Sequence, residues 1–495
     1  MKRYQLAEYH LFQRLGKLIL FNVETMLFYE VDPVISDAIT CFEQAPDADI
    51  PALLRKKYSR WEVKNAISYL EKEGFLTKGD GLRHPYRTPV LTKRRGIRHL
   101  ELLVTHRCNM ACRYCYGIHG QEEWGSAPFL YGANSGSMSF EVAQKGVDYL
   151  FEKSGPRKQV SVIFFGGEPL LEIGLLKRIV PYIRDKERET GKKADLSLST
   201  NGLLLTPYIV DFLVENRVGC QVSIDGPAAI NNRTRLLVNG CGSYDAIIQG
   251  VKRLISRRPG KVPARVTTVH NLVDLQGVVD HLLGLGFGSV HIEPAIGSSG
   301  DMGVTQDDVE RIKGQNEALA LFLVESVTKN RFFNYSNLVK HIRQTRVVRE
   351  RLAYYCGAGR TYFALAQDGG FYPCHRFVGM ESYRMGTIES GVDLTLQKKI
   401  LSLTVDNRPV CKDCWARYLC GGGCWKHAVD AHGTLEGSND KLSCQIIQHE
   451  IECAMAINSE LAISDQDILS TMYEEATEPY LITDKGGAQY AADNR

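Results

Sequence analysis

Three thiols stand at a C-x3-C-x2-C spacing in Cys108-Asn-Met-Ala-Cys112-Arg-Tyr-Cys115, directly after the apolar, strand-like run Leu100, Leu102, Leu103, Val104. Spacings this short put the three sulfurs on one loop, where they can converge on one face of a cluster. Three thiolates are one short of the four that usually hold a [4Fe–4S] cluster, which leaves one iron free to bind something else. The alternatives are three buried cysteines or a zinc knuckle. Zinc, however, takes four closed ligands for structure, or His and carboxylate beside an open position for catalysis.

At these residues the chain resembles the radical S-adenosylmethionine (SAM) enzymes, whose signature is this spacing with an aromatic residue, here Tyr114, before the third cysteine. The resemblance implies that the open iron chelates the amino and carboxylate groups of SAM. Reductive cleavage, fed by an electron donor such as flavodoxin or ferredoxin, would then give a 5′-deoxyadenosyl radical that takes a hydrogen atom from substrate.

Further candidate residues follow in chain order. Gly166-Gly167-Glu168-Pro169 offers close backbone approach and a carboxylate able to accept from an ammonium. In the resembled family a GGE-type motif holds the SAM amino group. Ser199-Thr200-Asn201-Gly202 and Ser223-Ile-Asp225-Gly226-Pro227 offer hydroxyl, amide and carboxylate groups suited to ribose or carboxylate, although each is also ordinary turn chemistry. Asp225 could equally cap the next turn. Arg235 opens a stretch similar to the family's R-x4-G-x-G-S-Y/F-D segment, and a guanidinium suits the SAM carboxylate through a bidentate pair.

A second cysteine system lies far downstream: Cys356, then Cys374 as C-x12-G-x4-C, then Cys411-x2-Cys414-x5-Cys420-x3-Cys424, and Cys444. Seven thiols do not divide into closed zinc sites, whereas clusters of four and three account for them all. The pattern resembles the SPASM extension of radical SAM peptide-modifying enzymes. Its ligand order implies one [4Fe–4S] cluster on Cys411, Cys414, Cys420 and Cys444, and a second centre on Cys356, Cys374 and Cys424. No cysteine lies between Cys356 and Cys374, unlike in some family members, so the second centre is open or has a non-cysteine ligand. The segment Tyr372-Pro-Cys374-His375-Arg376-Phe377-Val378-Gly379 is similar to thioether-forming maturases: the six-cysteine-peptide maturases and the quinohemoprotein amine dehydrogenase maturation protein. His375 stands where sulfatase-maturing relatives carry an aspartate base. It could move a proton near neutral pH or hydrogen-bond a cluster sulfur. Cys41, Cys220, Cys241 and Cys453 are left over and are expected to be buried small side chains.

What must position these groups? Strand and helix patterns alternate from 97 to 297, with strands at 97–105, 159–165, 194–200, 219–224, 264–270 and 289–294. Helices fall near 138–153, 170–187, 206–217, 243–257 and 274–286. The fold class is therefore α/β. Six βα units fit a partial, TIM-like (β/α)6 barrel, the core fold of the resembled family, with its chemistry at the C-terminal ends of the strands. Residues 1–77 read as a separate winged-helix-like unit, two β-rich runs followed by helices near 33–45, 50–58 and 60–73, the last opened by the capping box Ser59/Glu62. Winged helices often bind DNA. Here the last helix mixes Glu62, Glu71 and Glu73 with Arg60, Lys64 and Lys72, which is no basic stripe. The layout is similar to the leader-peptide recognition element of peptide-modifying enzymes, which adds an extended peptide to a sheet edge.

The remaining boundaries are a basic linker at 78–99, the barrel at 100–300, a helical bridge at 301–355, the SPASM domain at 356–463 and a polar tail at 464–495. The linker could be a solvated tether or a surface for an acidic peptide. The long insertion from Tyr116 to Gly136, with Trp124, Phe129 and Tyr131, reads as a lid over substrate.

Composition sets the outer bounds. A chain of 495 residues suggests two to four domains. A formal charge of +3 points to neither nucleic acid nor membrane, and no apolar run is long enough to span a bilayer. Fourteen cysteines without an export signal argue for metal ligation in the cytoplasm rather than a disulfide framework. The resulting expectation is a maturase that abstracts hydrogen from a ribosomally made, leader-bearing peptide and forms an intrapeptide Cys sulfur-to-carbon thioether. The alternatives are carbon–carbon crosslinking, oxidation, epimerisation, sulfatase-type maturation, or an iron–sulfur redox or DNA-binding regulator.

Overall fold

The computed structural model describes residues 4–46, 48–78, 96–118, 136–297, 300–329, 331–347 and 351–461. Most of the basic linker, the proposed lid with Trp124, Phe129 and Tyr131, and the polar tail lie outside these residues.

The chain opens with β1 (Tyr4–Leu6) and an antiparallel meander of β2 (Tyr9–Arg14), β3 (Lys17–Asn22) and β4 (Leu27–Glu30). Leu15 and Gly16 both have positive φ, as a two-residue hairpin turn requires. Three helices follow, α1 (Pro33–Gln44), α2 (Ile50–Leu54) and α3 (Arg60–Lys72), and β5 (Leu76–Lys78) returns to pair with β1. The Ser59 hydroxyl accepts from the Glu62 amide at 3.3 Å, and the Glu62 carboxylate accepts from the Ser59 amide at 2.8 Å, so the capping box read from sequence starts α3. Successive strand side chains point to opposite faces. In β3, Leu20 therefore packs with Ile35, Ile39, Val63 and Leu70 of the helices, while Ile19 and Phe21 pack on Ala416, Leu419, Ile451 and Met455 far along the chain. Both faces are covered, which accounts for the unbroken apolar run Leu18–Phe21.

The α/β portion comprises β6 (His99–Thr105), α4 (Phe140–Lys153), β7 (Gln159–Gly166), α5 (Ile173–Thr190), β8 (Lys193–Thr200), α6 (Pro207–Glu215), β9 (Val218–Ser223), α7 (Ala228–Thr234), α8 (Tyr244–Arg257), β10 (Pro263–Thr268), α9 (Leu275–Gly284) and β11 (Ser289–Pro294). The six strands are parallel and neighbours in chain order, and side chains such as Leu102, Val162, Phe164, Leu198, Val222, Val266 and Ile292 fill one continuous core. Helix boundaries follow local chemistry. The Thr206 side chain caps α6 with Pro207 at its first position, and α5 stops at Gly191 in the left-handed region.

Beyond β11 come α10 (Gln306–Thr328) and α11 (Ser336–Val347), where the sequence pattern predicted a helical bridge. Next is β12 (Tyr362–Leu365), which pairs parallel to β6 from Tyr362↔His99 to Leu365↔Leu102, with β13 (Phe371–Tyr372) antiparallel at its side. The sheet thus has eight strands in the order β11-β10-β9-β8-β7-β6-β12-β13, not the six expected. A four-residue strand so distant from its partner leaves no periodic trace in the sequence. The chain closes with β14 (Gly386–Thr387), β15 (Gly391–Val392), α12 (Leu394–Ser402), α13 (Arg417–Cys420), α14 (Trp425–His432) and α15 (Lys441–Glu460). Among the described residues no helix is long and apolar enough to cross a membrane.

Candidate active site

The loop after β6 carries Cys108, Cys112 and Cys115 and is stitched down on two sides. Ala111 and Arg113 donate their amides to the carbonyls of Leu236 and Thr234 at 2.7 and 2.8 Å, while Gly167 and Glu168 donate to Thr105 and Arg107, both at 2.9 Å. The second contact needs glycine: a Cβ on Gly166 or Gly167 would lie 2.1 Å from the carbonyl oxygen of Thr105 or Arg107. Backbone amides two residues on, at Met110 and Gly117, point at the sulfurs of Cys108 and Cys115. Burial pushes all three thiols up, Cys115 to about 12, and Cys112 adds its charge against both Cys108 and Cys115. Thiolates crowded in this way are tolerable only beside a cationic centre, which iron supplies. Among the described residues no three His, Cys, Asp or Glu side chains converge tightly enough to hold a metal ion. Cluster ligation does not require that convergence, because each thiolate binds a different iron.

The cysteine loop faces a cavity of about 1050 Å³ at the C-terminal ends of the parallel strands. Its wall includes Tyr114, Gly166, Gly167, Ser199, Asn201, Ser223, Arg235 and His375, all singled out from sequence. Glu168 and Asp225 stand behind the wall. Both Glu168 oxygens are occupied, by the Leu170 amide at 3.1 Å, the Thr200 hydroxyl at 2.8 Å and the Asn201 amide at 2.8 Å. Burial lifts its carboxyl to about 7 against the pull of those donors. Asp225 accepts from Tyr114 at 2.8 Å, Thr234 at 3.0 Å and the Thr267 amide at 3.0 Å. Both carboxylates thus brace residues that do reach the cavity. Asn201 braces as well as lines, since its side-chain amide donates to Asn109 Oδ1 at 2.7 Å. Arg235 donates to the Tyr114 hydroxyl at 2.8 Å, and its Nε is buried with no protein partner. Burial opposes that guanidinium's charge, but Cys112, Tyr114 and Asp225 hold it protonated. An orphaned cationic donor beside an open cysteine loop suits the carboxylate of a chelating ligand.

Glu101, Tyr362 and Arg376 are among the wall residues that escaped the sequence reading. Glu101, buried in the middle of β6, accepts from the His375 amide at 3.1 Å and the Tyr362 hydroxyl at 2.6 Å, and meets His375 Nδ1 at 2.9 Å. The signal was present: one acid inside His99-Leu-Glu-Leu-Leu-Val, a strand whose every residue is buried. Tyr362 and Arg376 carried no such signal. His375 also stacks on Phe165 with ring centroids 4.4 Å apart.

The seven downstream cysteines fall into two electrostatic neighbourhoods. Cys356 and Cys374 each feel Cys424, and Cys374 also feels Cys356; Cys444 feels Cys420, Cys411 and Cys414. Amides of Ala358 and Arg376 point at the sulfurs of Cys356 and Cys374, and those of Gly422 and Gly423 at Cys420. Gly421, Gly422 and Gly423 all have positive φ, and a Cβ on any of them would meet Tyr354, Arg408 or Asn439 at 2.7 Å or less. That run lets the chain turn tightly enough to return Cys424 beside Cys356. The donor sets suit iron–sulfur ligation. Of the four leftover cysteines, Cys220 and Cys453 are buried as expected. Cys241 is exposed on the loop after Arg235, and Cys41 is only half-buried, packed against the N-terminal core.

Residues 102–283 match the model of the radical SAM superfamily. An uncharacterized protein of Methanocaldococcus jannaschii is 31% identical over 201 residues, 40% of this chain and 63% of that one. The radical SAM cyclopropyl synthase TigE of Paramaledivibacter caminithermalis is 31% identical over 162 residues, 32% of each chain. The serine-type anaerobic sulfatase-maturating enzyme of Bacteroides thetaiotaomicron is 31% identical over 149 residues, 30% of this chain and 34% of that one. The chain therefore spans less than two thirds of the length of these relatives. The solved structure of anSMEcpe with bound AdoMet shares the fold, with a TM-score of 0.62 at 18% identity over 76% of this chain and 98% of that one. Residues 102–283 form a radical SAM domain, and the cofactors of that superfamily are a [4Fe–4S] cluster and S-adenosylmethionine.

Proposed function

We propose that this chain is a radical SAM maturase that closes a Cys sulfur-to-carbon thioether within a leader-bearing peptide. The observation that carries this reading is that Cys374 lies beside Cys356 and Cys424 while His375 and Arg376, directly after it, line the cavity that also holds Cys108, Cys112 and Cys115. When bound, the barrel cluster and SAM supply a 5′-deoxyadenosyl radical that takes a hydrogen atom from a substrate carbon. Cys108, Cys112 and Cys115 hold that cluster. Gly166 and Gly167 would admit SAM's amino group to the backbone and Arg235 would meet its carboxylate, while Tyr114, Ser199, Asn201 and Ser223 shape the remaining wall. Glu168 and Asp225 keep those groups in place. An iron–sulfur centre held by Cys356, Cys374 and Cys424 would offer an iron to the substrate thiolate. His375, oriented by Glu101, accepts the thiol proton. The peptide loses two hydrogens, one as an atom and one as a proton, and an electron passes to a carrier of the flavodoxin or ferredoxin class.

The N-terminal unit is read as the site that adds the leader as an extra strand. A second reading, sulfatase-type oxidation of a protein side chain, is favoured by the similarity to a sulfatase-maturating enzyme and by the His375–Glu101 pair as a proton acceptor.

Anaerobically reconstituted protein with reductant, SAM and cysteine-bearing candidate peptides separates the two readings by mass spectrometry. A two-dalton loss with one thiol consumed per bond supports the thioether. 5′-Deoxyadenosine formed with a hydrazide-reactive aldehyde on the peptide and no sulfur-to-carbon crosslink leaves the sulfatase-type reading standing. No 5′-deoxyadenosine from cluster-loaded protein removes both.

A further inference from the structure

The guanidinium of Arg376 sits between the Cys356/Cys374/Cys424 trio and the cavity. Its Nη1 donates to the Cys424 sulfur at 3.5 Å and meets His427 Nε2 at 2.8 Å. Burial and the neighbouring Arg376 push the imidazole of buried His427 down to about 4, so it is neutral and its Nε2 accepts. Nδ1 of the same ring faces the Ser443 hydroxyl at 3.3 Å, which fixes the ring's orientation. The Tyr116 ring lies 5.3 Å from the guanidinium carbon.

The four-cysteine set is served differently. Arg408 is buried beside it, but its Nε, Nη1 and Nη2 are directed to the carbonyl oxygens of Gly437 and Gly422. The side chain that reaches a sulfur there is neutral: Gln448 Nε2 donates to Cys414 at 3.3 Å. Hydrogen bonds and positive charge at a cluster thiolate stabilise the reduced, more negative state and raise its reduction potential.

We propose that Arg376, oriented by His427, raises the reduction potential of the trio's centre above that of the four-cysteine centre, so that an electron released in the cavity rests on the nearer centre. This rests on reading the trio as an auxiliary iron–sulfur site. Arg376 is a positioning residue here, acting through Cys424.

The test uses the full chain with Cys108, Cys112 and Cys115 replaced by Ala, reconstituted anaerobically and titrated with a chemical reductant while electron paramagnetic resonance follows each reduced centre. Adding C356A/C374A/C424A assigns the trio's signal. If no signal disappears with those three changes, the reading of the trio fails and the proposal loses its ground. With the signal assigned, R376M is expected to make the trio at least tenfold harder to reduce, which is about 59 mV for one electron, while leaving the four-cysteine centre unchanged. H427Q keeps the guanidinium but loosens it, and is expected to shift the same signal in the same direction by less; it carries the test if R376M does not load iron. The proposal is overturned if the trio's equilibrium moves by less than twofold in the variants that load, or if the shift falls on the other centre.

Discussion

Tyr114 links two buried charges, accepting from Arg235 and donating to Asp225 through one hydroxyl. Tyr114→Phe keeps the ring but leaves Arg235 Nη1 without its acceptor, while Asp225 loses one of three donors. The cost is about 1–3 kcal/mol, the usual penalty for buried groups left unpaired. SAM binding, measured by equilibrium dialysis on iron-loaded protein, is expected to weaken at least tenfold while the iron content holds. Gly167→Ala acts on the other cofactor. The added methyl would meet a backbone carbonyl rather than a flexible side chain, so the cysteine loop must shift. We expect the iron bound at Cys108, Cys112 and Cys115 to fall, and the variant to lose about 1–3 kcal/mol in denaturant unfolding, as overpacked sites do. At this scale the sequence was most readable where residue type and spacing act together. The three-cysteine loop, the two glycines and Arg235 announce themselves. Glu168 and Asp225 were visible as site residues, but whether a carboxylate faces the cavity or braces its wall depends on which donors the fold brings to it, and Thr200, Asn201 and Thr267 come from other strands.

Among the elements, β2 and α15 form the most consequential contact. Glu452 on α15 meets His10 at 2.8 Å and accepts from Arg14 Nε at 2.9 Å, while His10 stacks on Trp415, the residue after Cys414, with centroids 3.8 Å apart. Burial raises the Glu452 carboxyl, but His10 and Arg14 outweigh it and hold it below its ordinary value. A carboxyl whose pKa is lower in the folded chain contributes stability that is fully present above its unfolded value and lost as pH falls through the folded one. Hydrogen exchange in β2 is therefore expected to quicken below about pH 4.5, while β8 stays protected. Glu452→Gln should raise β2 exchange at neutral pH and flatten this acid response; equal responses from the two proteins would mean that another group holds β2. None of this contact was legible in the sequence. The three helices and two β-rich runs of residues 1–77 were, because apolar periodicity and a capping box are local signals; β1, β5 and the Leu15–Gly16 turn that divides the first run into β2 and β3 were not. A salt bridge across more than four hundred residues has no local signature.

On the scale of the molecule, one sheet carries both cysteine systems. The six βα units could be counted from periodicity, and their boundaries fall within a few residues of the observed ones, helped by caps such as Ser139, Thr206 and Asp274 and by Gly191. The seventh and eighth strands are too short to repeat, and β12 lies beside β6 only because both are there to be buried. Truncating the chain before Cys356 would uncover the edge of β6, seven consecutive buried residues. An exposed apolar edge strand is a template for aggregation. A fragment of residues 1–355 is expected to be insoluble on expression, whereas the longer fragment of residues 1–461 should remain in solution; comparing the soluble fractions of the two is a sufficient check.

That pairing also imposes a waiting time. His99 leaves the ribosome about 260 residues before its partner Tyr362. At roughly 5–20 residues per second, the edge of β6 stays bare for about 13–50 s in each round of synthesis. Fast elongation shortens that interval and slow elongation lengthens it, and iron bound by Cys108, Cys112 and Cys115 before Tyr362 emerges would meet a cavity wall that is not yet built.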